Sequence, residues 1–101
     1  MIDSLSRLNA DKYIGKNITD FLKDENFSSY RKIQIGESRL LVACSMVIFY
    51  NNGIYMELIP IKFKFMNPYN KNREWNIEDF KKERIGIIKI YKNEILIKTI
   101  R

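Results

Sequence analysis

Two pairs of carboxylates are the residues of this chain closest to catalytic chemistry. Asp20 with Asp24, and Asp79 with Glu83, are each four residues apart, which brings both members of a pair to one face of a helix. Such pairs can perform acid–base chemistry or hold a cation. Lysines stand near enough to pair with both, which favours a solvated charged face. We therefore assign neither pair a catalytic or metal-binding role.

The chain has few side chains suited to nucleophilic catalysis or to metal binding. The chain has no histidine and one cysteine, Cys44. The commonest general base, the usual Ser-His and Cys-His pairs and a tetrahedral zinc site are therefore missing. Residues 29–32 match the S-x-x-K pattern of penicillin-recognising enzymes, but the partner motifs of that class are missing. We interpret Cys44 as a packed, unreactive thiol and expect neither enzyme activity nor a cofactor.

Two groups of residues have types suited to binding. Lys62 and Lys64 alternate with apolar residues, which predicts a basic face on one strand. The second group is the 65–75 loop, where Tyr69, Arg73 and Trp75 stand among turn residues. Aromatic residues and arginine are enriched in protein-binding hot spots. We expect Tyr69 and Arg73 to contact a partner, whereas Trp75 is also placed to staple the start of a helix.

The first thirty residues predict two short helices. The first runs over about 5–14 and ends at Gly15, since glycine tolerates the left-handed conformation beyond a helix end. Asn17 is suited to cap the second, whose apolar residues follow at helical spacing over 18–22.

A period of two predicts strands in the rest of the chain. Asn51–Gly53 is the clearest local signal, because Asn-Gly supplies the positive φ angles of a tight hairpin. Pro60 predicts a bulge or an edge. A short helix is predicted after Asn76 as N-cap. The predicted strands cover 30–35, 39–50 after a turn at 36–38, 54–66, 85–92 and 95–100 after a turn at 93–94. The sequence thus predicts an α+β fold: two short N-terminal helices, an antiparallel sheet of about five strands, and a short helix before the last two strands.

At 101 residues, the chain fits a single domain, 1–101. The formal net charge is +6, distributed as −1 over residues 1–30 and +7 over the remainder. A basic domain attracts acidic proteins, nucleic acids or anionic membranes. The joint richness in Ile, Lys, Asn, Tyr and Phe also suits A/T-rich coding, which explains basicity without any partner. The lack of a signal peptide, of a long apolar run and of a cysteine pair favours the cytoplasm.

Residues 13–22, Tyr-Ile-Gly-Lys-Asn-Ile-Thr-Asp-Phe-Leu, resemble the opening of small domains of the BamE and β-lactamase-inhibitor-protein type. In those domains two short helices precede an antiparallel sheet. The Leu-Gly-x-Pro close of that opening is replaced here by Lys-Asp-Glu-Asn. The resemblance implies non-catalytic work, in which the sheet and its loops hold a protein partner, and it assigns a role to no single residue.

The leading hypothesis is therefore a non-catalytic protein-binding module of the inhibitor, immunity or scaffold type, with an acidic protein partner favoured. The alternative is single-stranded nucleic-acid binding, because the β-β-β-α-β-β order also fits an OB-type barrel. In that alternative Lys62 and Lys64, joined by Lys89 and Lys98, form a basic sheet face. Acidic residues interleaved with the basic ones favour the first hypothesis.

Overall fold

The chain forms a five-stranded antiparallel meander with two short α-helices, a small α+β fold, in a computed structural model that describes residues 10–38, 40, 42–70, 72 and 74–101. The strands stand in sheet order β1-β2-β3-β4-β5, so each pairs with its neighbour in sequence. Their bounds are Lys32–Glu37 (β1), Ala43–Phe49 (β2), Ile54–Pro60 (β3), Ile85–Lys92 (β4) and Ile95–Ile100 (β5). β1 and β5 are the two edges, which makes this an open sheet rather than the closed barrel of the nucleic-acid alternative.

Local turn chemistry sets two of the hairpins. Asn52 and Gly53 have φ of 64° and 75°, the left-handed values that a type I′ turn needs at both central positions. Asn93 and Glu94 take φ of 51° and 71° between β4 and β5. The predicted hairpin, the turn at 93–94 and the bounds of the last two strands are confirmed.

Side-chain caps begin both helices. Helix α1 is Ile18–Lys23, and the side chain of Asn17 accepts the backbone N–H of Asp20 at 2.9 Å. Helix α2 is Ile77–Phe80, where the side chain of Asn76 accepts two backbone N–H groups.

Residues 1–9 lie outside the described residues, and with them the first part, 5–9, of the first predicted helix. Its described end is a 3-10 turn, Asp11–Tyr13, followed by Gly15 at φ 84°.

The hydrophobic core lies between the helices and one face of the sheet. The helical side supplies Ile18, Phe21 and Phe80, each fully buried. The chain after α1 adds Phe27, whose ring stacks on that of Phe21 at 4.5 Å between centroids. The sheet contributes alternate residues of its strands: Met46, Ile48, Ile54, Met56, Leu58, Ile88, Ile90 and Ile100. Alternation along a strand leaves the residues between them on the opposite face.

The prediction of one strand over 54–66 is wrong beyond Pro60. The register with β4 shifts between Ile59 and Pro60, which confirms the predicted bulge, and the strand ends there. Residues 61–66 form a loop instead, and two of the apolar residues that alternate with Lys62 and Lys64, Ile61 and Phe65, are 61% and 53% exposed. A distant carboxylate, that of Glu83, accepts hydrogen bonds from the backbone of this loop.

The first two strands also differ from their predictions. Gly36 and Glu37 belong to β1 rather than to a turn, and Gly36 pairs with Ser45. A Cβ at position 36 would lie 2.5 Å from the Ser45 hydroxyl oxygen, so glycine here provides space within a sheet. β2 begins at Ala43 rather than at position 39, and Arg39 and Leu41 lie outside the described residues.

Candidate binding surfaces

The sheet face opposite the helices is the first candidate surface; we call it the open face. None of its apolar residues on β2, β3 and β4 belongs to the core cluster, and the described residues place no helix against it. Its apolar side chains are only partly buried. On those three strands they are Val47, Phe49, Tyr55, Ile59, Ile87 and Tyr91.

A row of side chains crosses the open face near the hairpin ends of the strands. Direct cross-strand pairing links Lys32, Phe49, Tyr55, Tyr91 and Leu96, one from each strand. The rings of Tyr55 and Tyr91 stack at 4.7 Å between centroids, and those of Phe49 and Tyr55 lie 5.5 Å apart. The Lys32 ammonium stands 4.7 Å from the centre of the Phe49 ring, a cation–π contact. We call these five residues the aromatic row.

A single carboxylate, Glu57, lies in the next cross-strand row of the open face. It accepts hydrogen bonds from the Ser45 hydroxyl at 2.6 Å and from the Tyr91 hydroxyl at 3.3 Å. Burial and the neighbouring Glu57 charge raise the pKa of Tyr91 above its ordinary value. The hydrogen bond from the Tyr91 hydroxyl to Glu57 joins the Tyr91 side chain on β4 to β3, beside Tyr55.

An open cleft of about 690 Å³ adjoins the row at the hairpin end of the sheet. Phe49 and Tyr55 form part of its apolar wall. Arg31, Lys32 and Glu94 place charges on its lining. The cleft thus combines aromatic surface with two cations and one anion, a lining suited to recognising a protein side chain rather than to performing a reaction.

Edge strand β5 carries exposed apolar side chains, of which Leu96 lies on the open face because it pairs with Tyr91. Ile95, Leu96 and Ile97 are 68%, 46% and 45% exposed. As the last strand of the sheet, β5 has no strand pairing with its outer edge among the described residues. An apolar edge strand is a site for pairing with another chain, and soluble proteins usually protect such edges with charge or proline.

The 65–75 loop holds three of the predicted contact residues. Tyr69 is 70% exposed, in a turn in which the Asn67 side chain accepts the Tyr69 backbone N–H. Trp75 is partly buried against the core, and its indole N–H donates to the Pro68 carbonyl at 3.1 Å. Its role is at least partly structural, in line with the predicted staple. Arg73 lies outside the described residues.

Lys62 and Lys64, the other two predicted contact residues, lie in the 61–66 loop and not on a sheet face. The loop is held by Glu83, which is 1% exposed. Its carboxyl group accepts the consecutive backbone N–H groups of Lys64, Phe65 and Met66 at 2.8–3.0 Å. Lys89 and Lys98 are on β4 and β5, so the predicted basic sheet face does not form.

The structure changes the interpretation of three side chains that could do chemistry. Cys44 is exposed on β2, so its interpretation as a packed thiol is wrong. Glu83 is the buried clamp of a loop rather than half of a carboxylate pair, and Asp24 accepts the Tyr13 hydroxyl and pairs with Lys12 at 3.5 Å. Among the described residues, no three His, Cys, Asp or Glu side chains are grouped to hold a metal ion, and no helix is long and apolar enough to cross a membrane.

The aromatic row could not be predicted from the sequence, because the row is assembled only by the register of all five strands. Phe49 and Tyr55 were detectable as neighbours, since they flank the Asn-Gly turn symmetrically. Tyr91 adds to them only once β3 is known to pair with β4.

Comparison with known proteins adds nothing to this description of the fold and its surfaces. No protein-family model, no curated protein and no solved structure matches this chain.

Proposed function

We propose that this protein is a non-catalytic binding module that holds a partner protein against the open face of its sheet. The observation that carries the proposal is the aromatic row, which runs across all five strands on the face that the helices leave uncovered. The proposal keeps the predicted use of the sheet and moves the centre of contact from the 65–75 loop to the row.

The composition of the row supports protein binding. Tyrosine and phenylalanine provide large contact areas with few rotatable bonds, and they are common at the centres of interfaces. The Tyr55 and Tyr91 rings are already stacked, Phe49 lies against Tyr55, and the Tyr91 hydroxyl is hydrogen-bonded to Glu57, so binding would cost little further side-chain entropy. Leu96, the member of the row on edge strand β5, is 46% exposed and enlarges the apolar area.

The partner is a protein with an apolar contact surface flanked by acidic side chains. Arg31 and Lys32 line the cleft at the end of the row, where they would face those acidic groups. The overall charge of +6 speeds association with such a partner. A stoichiometric complex is the expected product, as for inhibitor and immunity proteins.

Differential capture from an extract of the source cell tests the proposal. Immobilised wild-type protein is compared with the Tyr55→Thr/Leu96→Thr variant, which removes two members of the row while keeping residues that favour strands. We expect one protein retained at near-equal stoichiometry by the wild type and depleted at least tenfold on the variant.

The matched control is Leu40→Thr/Ile61→Thr, which removes two exposed apolar side chains that lie outside the strands and are not members of the row. It should retain the partner like the wild type. Equal depletion by both double variants, or equal retention by all three proteins, contradicts the proposal. A self-associated dimer of this chain in place of a second protein also contradicts it, and light scattering on the purified protein detects that outcome.

A further inference from the structure

A second surface, independent of the open face, gathers cationic side chains from three segments far apart in the sequence. The 15–19 segment pairs with 81–85: the Gly15 N–H donates to the Ile85 carbonyl at 2.7 Å, and the Ile85 N–H donates to the Lys16 carbonyl at 2.8 Å. The 61–66 loop joins them, since the Ile61 N–H donates to the Arg84 carbonyl at 2.9 Å. We call the six cations brought together there the basic surface: Lys16, Lys23, Lys62, Lys64, Lys82 and Arg84.

The charges of the basic surface are mostly uncompensated. Lys82 pairs with Asp79 at 3.3 Å, while the other five cations form no ion pair with any described residue. Asp20 also lines the surface and Glu83 lies buried beneath it. Six cations against three carboxylates leave a surplus of three positive charges in a protein whose whole formal charge is +6. Such a concentration attracts a polyanion.

The shape of the basic surface favours a strand-like ligand. Four of the cations, Lys16, Lys23, Lys82 and Arg84, line an open cleft of about 630 Å³. A smaller hollow of about 90 Å³ adjoins it beside Lys62 and Lys64, with Arg84 shared by both. Two adjoining cationic hollows can accommodate a flexible phosphate backbone, which single-strand-binding proteins follow with a positively charged groove.

One aromatic ring lies among these cations. Phe65 is 53% exposed and contributes to both hollows. Its backbone N–H donates to the buried Glu83 carboxyl group at 2.8 Å, which holds the base of the ring in place. An exposed, anchored ring beside cations is the arrangement on which an unpaired base stacks while its phosphates are neutralised.

We infer that the basic surface binds single-stranded nucleic acid, with Lys16, Lys62, Lys64 and Arg84 on the phosphates and Phe65 stacked on a base. The site differs from the basic sheet face predicted from sequence, because Lys89 and Lys98 are not part of it. It lies beyond the Pro60 end of β3, at the opposite end of the sheet strands from the aromatic row. A partner protein and a nucleic acid would therefore occupy different surfaces.

Fluorescence anisotropy with labelled twelve-nucleotide oligo(dT) and oligo(U) tests this inference. We expect binding by the wild type that weakens steeply with salt. The Lys64→Gln/Arg84→Gln variant should bind at least tenfold more weakly at low salt, with a salt slope reduced by about 1.4 for two lost phosphate contacts. The matched control, Lys89→Gln/Lys98→Gln, loses the same charge from β4 and β5 and should bind like the wild type.

A second variant separates stacking from charge. Phe65→Ser keeps every cation and should weaken oligonucleotide binding by roughly five- to 100-fold, the range for loss of one stacked base, with an unchanged salt slope. The inference would be overturned if Lys64→Gln/Arg84→Gln and its control Lys89→Gln/Lys98→Gln weakened oligonucleotide binding equally. It would also be overturned if Phe65→Ser bound the oligonucleotide as tightly as the wild type. If poly-glutamate competes as strongly as oligo(dT) at equal charge, the inference is overturned and the surface is assigned to acidic proteins. If phosphatidylserine vesicles bind as strongly as oligo(dT) at equal charge, it is overturned and the surface is assigned to membranes.

Discussion

At the scale of single residues, Glu83 is the side chain with the largest structural effect in the basic surface. It is buried, and three consecutive backbone N–H groups donate to it. Removing a buried acceptor leaves those donors unpaired, at about 1–3 kcal/mol for each. Glu83 therefore holds the loop that exposes Lys62, Lys64 and Phe65.

We predict that Glu83→Ala lowers the free energy of unfolding by at least about 2 kcal/mol. Glu83→Gln keeps one acceptor oxygen and should cost less. Urea denaturation measures both, with Asp79→Asn as a partly exposed control that should change stability by no more than about 0.5 kcal/mol. If Glu83→Ala is as stable as the control, the carboxylate does not hold the loop.

The Tyr13–Asp24 pair predicts a change at acid pH. The Tyr13 hydroxyl donates to the Asp24 carboxylate, and this hydrogen bond, helped by the Asn26 backbone N–H and Lys12, lowers the pKa of Asp24 below 3.8. A carboxyl group whose pKa is lower in the folded protein than in the unfolded chain stabilises the fold at pH values above its unfolded pKa. That stabilisation is lost as the pH falls through the folded pKa. In Tyr13→Phe, the loss of unfolding free energy as the pH falls below the unfolded pKa of Asp24 should be smaller than in the wild type.

The same pair acts in the opposite direction at alkaline pH. The hydrogen bond to Asp24, with burial, raises the pKa of Tyr13 to about 12. A tyrosine whose pKa is raised in the folded protein stabilises the fold at pH values below its unfolded pKa of 10.0. That stabilisation is lost as the pH rises to the folded pKa of about 12. Tyr13→Phe should therefore flatten the stability profile in both windows. Tyr69→Phe, at an exposed ring, should follow the wild type; if the two variants have the same profile, the pair does not contribute.

At the scale of elements, close packing between β1 and β2 fixes the open face. Gly36 faces the Ser45 hydroxyl, which in turn donates to Glu57. In Gly36→Ala the new Cβ would meet the Ser45 oxygen at 2.5 Å and force it away from the carboxylate. We predict a loss of roughly 1–3 kcal/mol of unfolding free energy.

A double-mutant cycle checks that explanation. Ser45→Ala removes the colliding oxygen, so the Gly36→Ala/Ser45→Ala protein should be more stable than the sum of the single changes predicts, with a coupling of at least about 0.5 kcal/mol. Thermal or urea unfolding of the four proteins gives the coupling. Additive effects would mean that the cost of Gly36→Ala arises elsewhere in β1.

Elements defined by local chemistry could be predicted from sequence, whereas those set by distant contacts could not. Asn17, Asn76 and Asn52-Gly53 act on their own neighbours, so two helix starts and a hairpin follow directly from them. The loop that follows β3 is held by Glu83, which is 17–19 residues away from the backbone N–H groups it binds. Alternation over 59–65 fits a strand equally well without that contact.

At the scale of the whole molecule, two surfaces at different ends of one sheet would allow two ligands to be held together. The aromatic row lies at the hairpin end of β3, and the basic surface lies beyond its other end, about 20 Å away for a seven-residue strand. Neither surface could be assembled from sequence alone, because each combines at least three segments. Of the five predicted contact residues, Lys62 and Lys64 belong to the basic surface, and Tyr69 remains a predicted contact in its loop.

The most direct test of the central claim, that the open face binds a protein, is site-specific photo-crosslinking. Benzoylphenylalanine is introduced singly at Tyr55, Leu96, Tyr69 and Lys12, and each protein is irradiated in an extract of the source cell. We predict that one and the same protein crosslinks from positions 55 and 96, and that position 12 on the helical side yields none of it. Crosslinks from position 69 alone would return the contact to the 65–75 loop, and equal labelling from all four positions would contradict a partner on the open face.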